Sequence, residues 1–182
     1  MLRLIAAFGL LLAVVLAPSR ARADVSSWAS VSAGPTFIDE GQGEGLMSQG
    51  ALSLQAGLGT TPANFLVGGG LLHLETHFGR GTDLGLLARI ATQGYVLGNW
   101  GGALDLGGYE RFWGFRSGGG LGALVLGAPW GFTLRGEAAV GTNDARSFGI
   151  VLGVDFARLT VFRTTGEDWF PNPYPGYREP KK

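Results

Sequence analysis

Apolar and polar residues alternate along most of the chain after residue 23. The clearest runs place an apolar side chain at nearly every second position, and they lie at 52–58, 66–78, 84–90, 132–140 and 148–156. A period of two indicates β-strands, because successive side chains of a strand point to opposite faces. No amphipathic helix of useful length interrupts this series.

The breaks between these runs predict eight strands joined by two alternating kinds of connection. The predicted strands span residues 27–37, 48–59, 64–78, 83–97, 100–110, 118–128, 131–141 and 147–162. Tight turns follow the second, fourth and sixth strands. Segments that are mostly longer and more polar follow the first, third, fifth and seventh. This arrangement predicts an all-β fold, an eight-stranded antiparallel up-and-down barrel.

The polar face of the strands distinguishes a membrane barrel from a soluble one. It consists mainly of glycine, alanine and serine, and lysine occurs only at positions 181 and 182. A water-facing surface would carry more Lys and Glu, whereas the narrow interior of an eight-stranded barrel suits small residues and sparse, opposite charges. We therefore expect a transmembrane β-barrel with an apolar outer face. The predicted lumenal network comprises His73, Glu75, His77, Arg89, Asp105, Arg135, Glu137 and Asp155.

Neighbouring strands should bring these lumenal charges together. We expect Arg89 to lie close to His73 across the hairpin, and Asp155 to lie diagonal to Arg135. Arg135 and Glu137 share one face of a strand. Buried charges require partners, so the network predicts structural ion pairs or, as an alternative, a gate whose pairs exchange to admit ions.

Aromatic residues recur close to the predicted strand ends. Those near the starts of the odd-numbered strands would form one ring if the strands alternate in direction, and those at the opposite ends would form a second. Outer-membrane barrels carry aromatic girdles at both interfaces. We predict membrane-interface positions for Trp28, Phe65, Trp100, Phe132, Phe37, Phe78, Tyr109 and Phe148.

The two ends of the chain differ from the barrel in composition. Arg3, the apolar run 4–17 and the small-x-small site at 21–23 predict a cleavable signal peptide over 1–23. The barrel is predicted over 24–163, and 164–182 forms a tail rich in proline and aromatic residues. Without residues 1–23, eleven basic residues remain against fourteen acids, a net charge of −3 that does not favour nucleic-acid binding. There are no cysteines, so a closed hydrogen-bonded barrel would have to supply the stability that disulfides often give.

With these features, residues 25–162 resemble a small outer-membrane barrel of the OmpA/OmpX type. The resemblance implies a bacterial outer-membrane location, contact with outer-membrane lipid and lipopolysaccharide, and recognition by the barrel-assembly machinery. The stretch 147–156 resembles the terminal strand that this machinery reads, although residues 158–182 follow it. Residues 164–182 predict a disordered periplasmic tail or, as the alternative, a plug or a segment that docks a periplasmic partner.

The sequence offers few residues for catalysis or metal binding. His73, Glu75 and His77 share a face, but ~13 Å separates the first from the third along a strand, so a zinc site would need a ligand from a neighbouring strand. We favour a lumenal polar ladder and expect no metal or cofactor. A lipid A deacylase would need a serine beside a histidine and an acid, and Ser48 is the best candidate serine.

We therefore expect a non-enzymatic outer-membrane barrel with a side-chain-filled lumen and a structural or surface-interaction role in the cell envelope. Three alternatives stay open: a lipid-modifying outer-membrane enzyme, a narrow ion-conducting pore, and a soluble lipocalin-like binder.

Overall fold

A computed structural model of the chain describes residues 25–41, 43 and 45–160. The predicted signal peptide at 1–23 and the predicted tail at 164–182 lie outside the described residues, and both stay predictions.

Eight antiparallel strands form a closed barrel in which each strand pairs with its neighbours in chain order and β1 closes against β8. The predicted all-β, eight-stranded barrel is therefore confirmed. The strands are β1 (Ser26–Asp39), β2 (Met47–Gly59), β3 (Leu66–His77), β4 (Gly81–Thr92), β5 (Gly101–Phe112), β6 (Gly118–Gly127), β7 (Phe132–Gly141) and β8 (Arg146–Asp155).

Two predicted strands end earlier than expected, because a capping side chain starts a short helix. Thr92 Oγ1 accepts from the Tyr95 backbone N at 3.3 Å, and helix α1 (Gln93–Val96) begins there. Asp155 Oδ1 accepts from the backbone N of Ala157 at 3.0 Å and of Arg158 at 3.3 Å, at the start of helix α2 (Phe156–Thr160). Satisfying free N–H groups in this way favours a helix over a continued strand. Neither helix, nor any other in the described part of the chain, is long and apolar enough to cross a membrane.

The barrel has an apolar outer face and an interior that mixes polar and apolar residues. Outward-pointing leucine, isoleucine and valine side chains are between 39% and 67% exposed. They are Leu52, Leu54, Leu58, Leu66, Leu72, Leu74, Leu84, Ile90, Leu104, Leu106, Leu124, Leu126, Leu134, Val140, Ile150 and Leu152. The alternation in β2, β3, β4, β7 and β8 therefore has the predicted parity, with the apolar face outside.

The two ends of the barrel differ. The turn end holds the connections at 60–65, 93–100 and 128–131, and the loop end holds those at 40–46, 78–80, 113–117 and 142–145. An apolar cluster fills the interior at the turn end, and its members are Trp28, Val67, Ala91, Tyr95, Val96, Ala103 and Val125. A second interior cluster consists of Leu71, Leu87, Tyr109, Leu121 and Ala139. The end that contains both termini of the barrel is thus closed by packed side chains.

Two residues predicted at the membrane interface lie inside the barrel instead. Trp28 is 1% exposed, and Gly59 and Gly69, which pair with each other, leave room for its indole, since a methyl group on either would clash with the ring. Tyr109 is buried, and its hydroxyl lies 3.3 Å from Ser117 Oγ. Trp28 was misassigned because the two faces of β1 contrast weakly. Tyr109 shares the inward face of β5 with the charged residues Asp105 and Arg111.

Candidate functional site: the lumenal polar network

All eight side chains predicted to form a lumenal network lie inside the barrel. Seven of the residues are almost completely buried, and the side chain of the eighth, Glu137, is 5% exposed. The seven are His73, Glu75, His77, Arg89, Asp105, Arg135 and Asp155.

Asp105 on β5 is the centre of the charged network. Its carboxylate accepts from Arg89 Nε at 2.6 Å and Arg89 Nη2 at 2.8 Å, and it also accepts from Arg135 Nη1. Arg135 Nε in turn donates to Glu137 Oε2 at 2.7 Å. Arg89 stands directly opposite Asp105 in the register of β4 and β5, which allows the two-point contact. Two arginines therefore share one buried carboxylate, and Arg135 has Glu137 as a second acidic partner.

The expected direct contact between Arg89 and His73 is replaced by a bridge through Gln55. His73 stands opposite Gly85, four residues from Arg89 along β4, so the two side chains are not neighbours across the hairpin. Arg89 Nη2 donates to Gln55 Oε1 at 3.2 Å, and Gln55 Nε2 lies 3.1 Å from His73 Nδ1. Because the amide N–H group donates, His73 Nδ1 accepts and the imidazole proton is on Nε2.

The expected diagonal between Asp155 and Arg135 is also absent among the described contacts. Asp155 lies at the turn end of β8, where its carboxylate accepts from the backbone N of Ala29 and caps α2. Arg135 pairs in register with Val151 instead and turns towards Asp105. Asp155 lies four residues beyond Val151 along β8, too far towards the turn end for the predicted pair.

A second charged group at the loop end contains two residues that sequence reasoning did not include. Arg111 donates to Asp83 through Nε at 2.6 Å and through Nη2 at 2.8 Å. His77 Nε2 lies 3.1 Å from the same carboxylate. Asp83 and Arg111 have the same parity as Arg89 and Asp105 on their strands, so the alternation itself contains the signal for them.

Glu75 lies between the two histidines. His73 Nε2 is 3.1 Å from Glu75 Oε2, and His77 Nδ1 is 3.6 Å from Glu75 Oε1. The ligand atoms of His73, Glu75 and Glu137 all lie within 4.8 Å of one another, although Glu137 is on β7. Residues spaced along one strand and across the lumen therefore converge on a single carboxylate.

At the turn end, the buried Arg158 of α2 joins the helix to the neighbouring turns. Its Nη2 donates to the backbone oxygens of Asn99 at 2.7 Å and Ala128 at 3.0 Å. The guanidinium lies 4.6 Å from the centre of the Tyr95 ring. Tyr95 belongs to α1, outside the strands, and burial raises the pKa of its phenol to about 12, so the ring stays neutral. This cation–π contact helps to close the turn end.

The other six predicted interface aromatics are at the barrel surface. Phe37 is half-buried and stacks on Phe148, with 4.8 Å between the ring centres. Phe65, Trp100, Phe132, Phe78 and Phe148 are exposed. Trp113 and Trp130, which the sequence reasoning did not include, are exposed in connections at opposite ends of the barrel.

Comparisons of the chain with protein-family models, with curated proteins and with solved structures gave no match.

Proposed function

We propose that this protein is an outer-membrane β-barrel of a Gram-negative cell envelope, with a filled lumen and a structural or surface-interaction role. The observation that carries the proposal is the polarity of the barrel. Leucine, isoleucine and valine cover the outside, while the charged side chains of Asp105, Arg89 and Arg135 are buried inside. A soluble barrel has the opposite arrangement, because its outside faces water.

The energetics of the outer face support a lipid surrounding. Monomeric soluble proteins rarely expose an apolar patch larger than a few hundred Å². Here the exposed apolar side chains occur on every strand after β1. A closed barrel also pairs its strand backbone groups internally, which a lipid environment requires. Exposed aromatics at both ends, such as Phe65 and Phe78, fit the two interfacial girdles.

The interior supports a filled barrel more than an open pore. The apolar cluster around Trp28 and Tyr95 closes the turn end, and the ion pairs of Asp105 occupy the lumen. An eight-stranded barrel has an interior just wide enough for side chains. The proposal includes export by the predicted signal peptide, folding by the barrel-assembly machinery, and contact with outer-membrane lipid and lipopolysaccharide.

The positions of the candidate catalytic groups favour a non-enzymatic role. Ser48 is exposed, whereas His73 and His77 are buried in the lumen. A serine nucleophile needs its base within hydrogen-bond reach. In the part of the chain that the structure describes, this serine and these histidines do not form such a group.

Cell fractionation with heat-modifiable gel mobility tests the location. We expect the protein in the outer-membrane fraction, with a faster-migrating folded band that disappears on boiling. Recovery in the soluble periplasm would contradict the membrane proposal and favour the lipocalin-like alternative.

In planar bilayers we expect no steady conductance comparable to that of a porin, and such conductance would contradict the filled lumen. An unchanged lipid A mass spectrum after expression would agree with the non-enzymatic role.

A further inference from the structure

Two hydrogen-bond chains in the lumen end at atoms that face each other without a donor between them. The first runs from Asp105 through Arg89, Gln55 and His73 to Oε2 of Glu75. His73 Nδ1 accepts from Gln55, so its Nε2–H donates to that oxygen. The other oxygen, Oε1, has no hydrogen-bond partner in the described part of the chain.

The second chain runs from Arg111 through Asp83 to His77. Asp83 accepts two hydrogen bonds from Arg111 and is therefore an ionised acceptor. His77 Nε2 must carry the proton that it shares with this carboxylate at 3.1 Å. In the neutral imidazole, Nδ1 then has a free lone pair, and it likewise lacks a partner among the described residues. This arrangement matches metal-binding histidines, whose second nitrogen donates to a carboxylate.

The two free acceptors are separated by a distance that fits a metal ion between them. His77 Nδ1 and Glu75 Oε1 lie 3.6 Å apart, and their residues are 3% and 2% exposed. Two ligand atoms of a tetrahedral zinc site, at the usual bond lengths, are roughly 3.4 Å apart. Glu137 on β7 provides a further carboxylate close to this pair, with an oxygen within 4.8 Å of ligand atoms of Glu75 and His73.

The balance of charge in this part of the lumen also favours a cation. Asp83 and Asp105 each pair with arginine, and Glu137 pairs with Arg135. The ion pairs of Glu75 are with the two histidines alone. With all four carboxyl groups ionised, Glu75, Asp83, Asp105 and Glu137 would carry one negative charge more than Arg89, Arg111 and Arg135 balance. A buried charge without compensation is costly.

We propose that the lumen binds one divalent transition-metal ion of the zinc type, with His77 Nδ1 and Glu75 Oε1 as its ligands and the carboxylate of Glu137 close to Glu75. Imidazole and carboxylate ligands suit Zn²⁺, whereas Mg²⁺ and Ca²⁺ prefer sites made only of oxygen. The site depends on the interior of the barrel and not on the membrane that surrounds it. It therefore stands or falls separately from the outer-membrane location.

Calorimetric titration of the refolded, chelator-treated full chain with ZnCl₂ tests the site. We expect one Zn²⁺ per chain, and binding at least tenfold weaker in Glu75→Gln and in His77→Gln. Glu40→Gln is the matched control, because Glu40 is buried at the loop end and pairs with Arg80 outside the site. It should bind Zn²⁺ like the wild type. Equal binding by the wild type and Glu75→Gln, or no binding by the wild type, would overturn the proposal. MgCl₂ should not compete.

Nitrogen NMR of the wild type provides a test that needs no variant. The chain contains two histidines, so selective labelling reports only on His73 and His77. We expect ZnCl₂ to shift Nδ1 of His77 and EDTA to reverse the shift, while His73, with both nitrogens hydrogen-bonded, changes little. A spectrum that does not respond to ZnCl₂ would overturn the metal site. It would mean that a water molecule or a proton lies between His77 and Glu75 instead.

Discussion

The turn end and the loop end of the barrel interior solve the same packing problem in different ways. At the turn end, Trp28 and Tyr95 fill the lumen with apolar surface, and Arg158 finds backbone oxygens as partners. Both ends contain buried polar atoms without a hydrogen-bond partner among the described residues, but at the loop end two of them, Glu75 Oε1 and His77 Nδ1, face each other at 3.6 Å. The turn end is built for closure, whereas the loop end retains a free binding capacity.

The difference shows how a narrow barrel can combine stability with a site. Apolar packing at one end supplies transfer free energy that does not depend on pairing. An intact ion pair in the lumen adds little to the free energy of unfolding. Removing one partner is costly, because it leaves the other charge buried and unpaired. The apolar packing at the turn end therefore offsets part of the cost of the buried polar atoms that have no hydrogen-bond partner among the described residues.

The largest expected effect comes from removing the carboxylate that two arginines share. Asp105→Ala leaves Arg89 and Arg135 without their shared partner inside the barrel. We expect the free energy of unfolding to fall by about 3–5 kcal/mol, the usual cost of breaking a buried ion pair. Urea titration of the barrel refolded in detergent, followed by tryptophan fluorescence, measures this loss.

Glu110→Ala is the control for this variant, because Glu110 is exposed on the same strand. It should change stability by less than about 0.5 kcal/mol. A loss of similar size in both variants would mean that the Asp105 network is not the main source of stability in the lumen.

The apolar turn end should respond to the loss of volume and not to the loss of charge. Trp28→Ala removes an indole that is 1% exposed and leaves a cavity beside Gly59 and Gly69. We expect a loss of about 3 kcal/mol, at the lower end for such truncations, because the short helix α1 can settle partly into the space. Differential scanning calorimetry measures this loss of stability, with Trp100→Ala as the control. Trp100 is 76% exposed, and equal losses in the two variants would contradict a packed turn end.

Removing a charge at the loop end should raise the free energy of unfolding, whereas the two substitutions above lower it. In buffer containing EDTA, Glu75→Gln removes a buried charge that has no arginine in its ion pairs. The new amide can accept from His73 Nε2 and donate to His77 Nδ1, which satisfies both atoms. We expect stability to rise by about 1 kcal/mol. ZnCl₂ should then stabilise the wild type and leave this variant unchanged, as urea titration would show. A clear destabilisation in EDTA would mean that Glu75 is structurally paired after all.

Much of the fold could be predicted from the alternation alone, because a period of two specifies both the strand and its faces. The parity of β3, for example, places His73, Glu75 and His77 inside, as the structure does. The ends of β4 and β8 could not be predicted, since apolar residues continue beyond Thr92 and Asp155. Only the capping hydrogen bonds of those two side chains reveal that helices begin there.

The contacts inside the site were harder to predict from the sequence, because they depend on the register between strands. The sequence does not show that Gly85 stands opposite His73, so the bridge through Gln55 could not be inferred. His73 and His77 each lie two positions from Glu75 along β3. Strand spacing does not show that both side chains turn towards the Glu75 carboxylate. Such convergence depends on side-chain rotamers and on the curvature of a closed barrel, which alternation does not encode.

The smallest expected effect concerns the cap that begins α1 at the turn end. Thr92 Oγ1 accepts from the backbone N of Tyr95 and of Gly102, so Thr92→Ala leaves two donors to find other partners. We expect a loss of about 1 kcal/mol, the usual value of an N-cap. Hydrogen exchange should show faster exchange of the Tyr95 amide, while the amides of the loop end keep their protection. Thr76→Ala, which removes the hydrogen bond between Thr76 of β3 and Thr82 of β4, is the control. If loop-end amides also lost protection, the two ends would open as one unit. That result would contradict the expectation that the packed turn end and the loop end open independently.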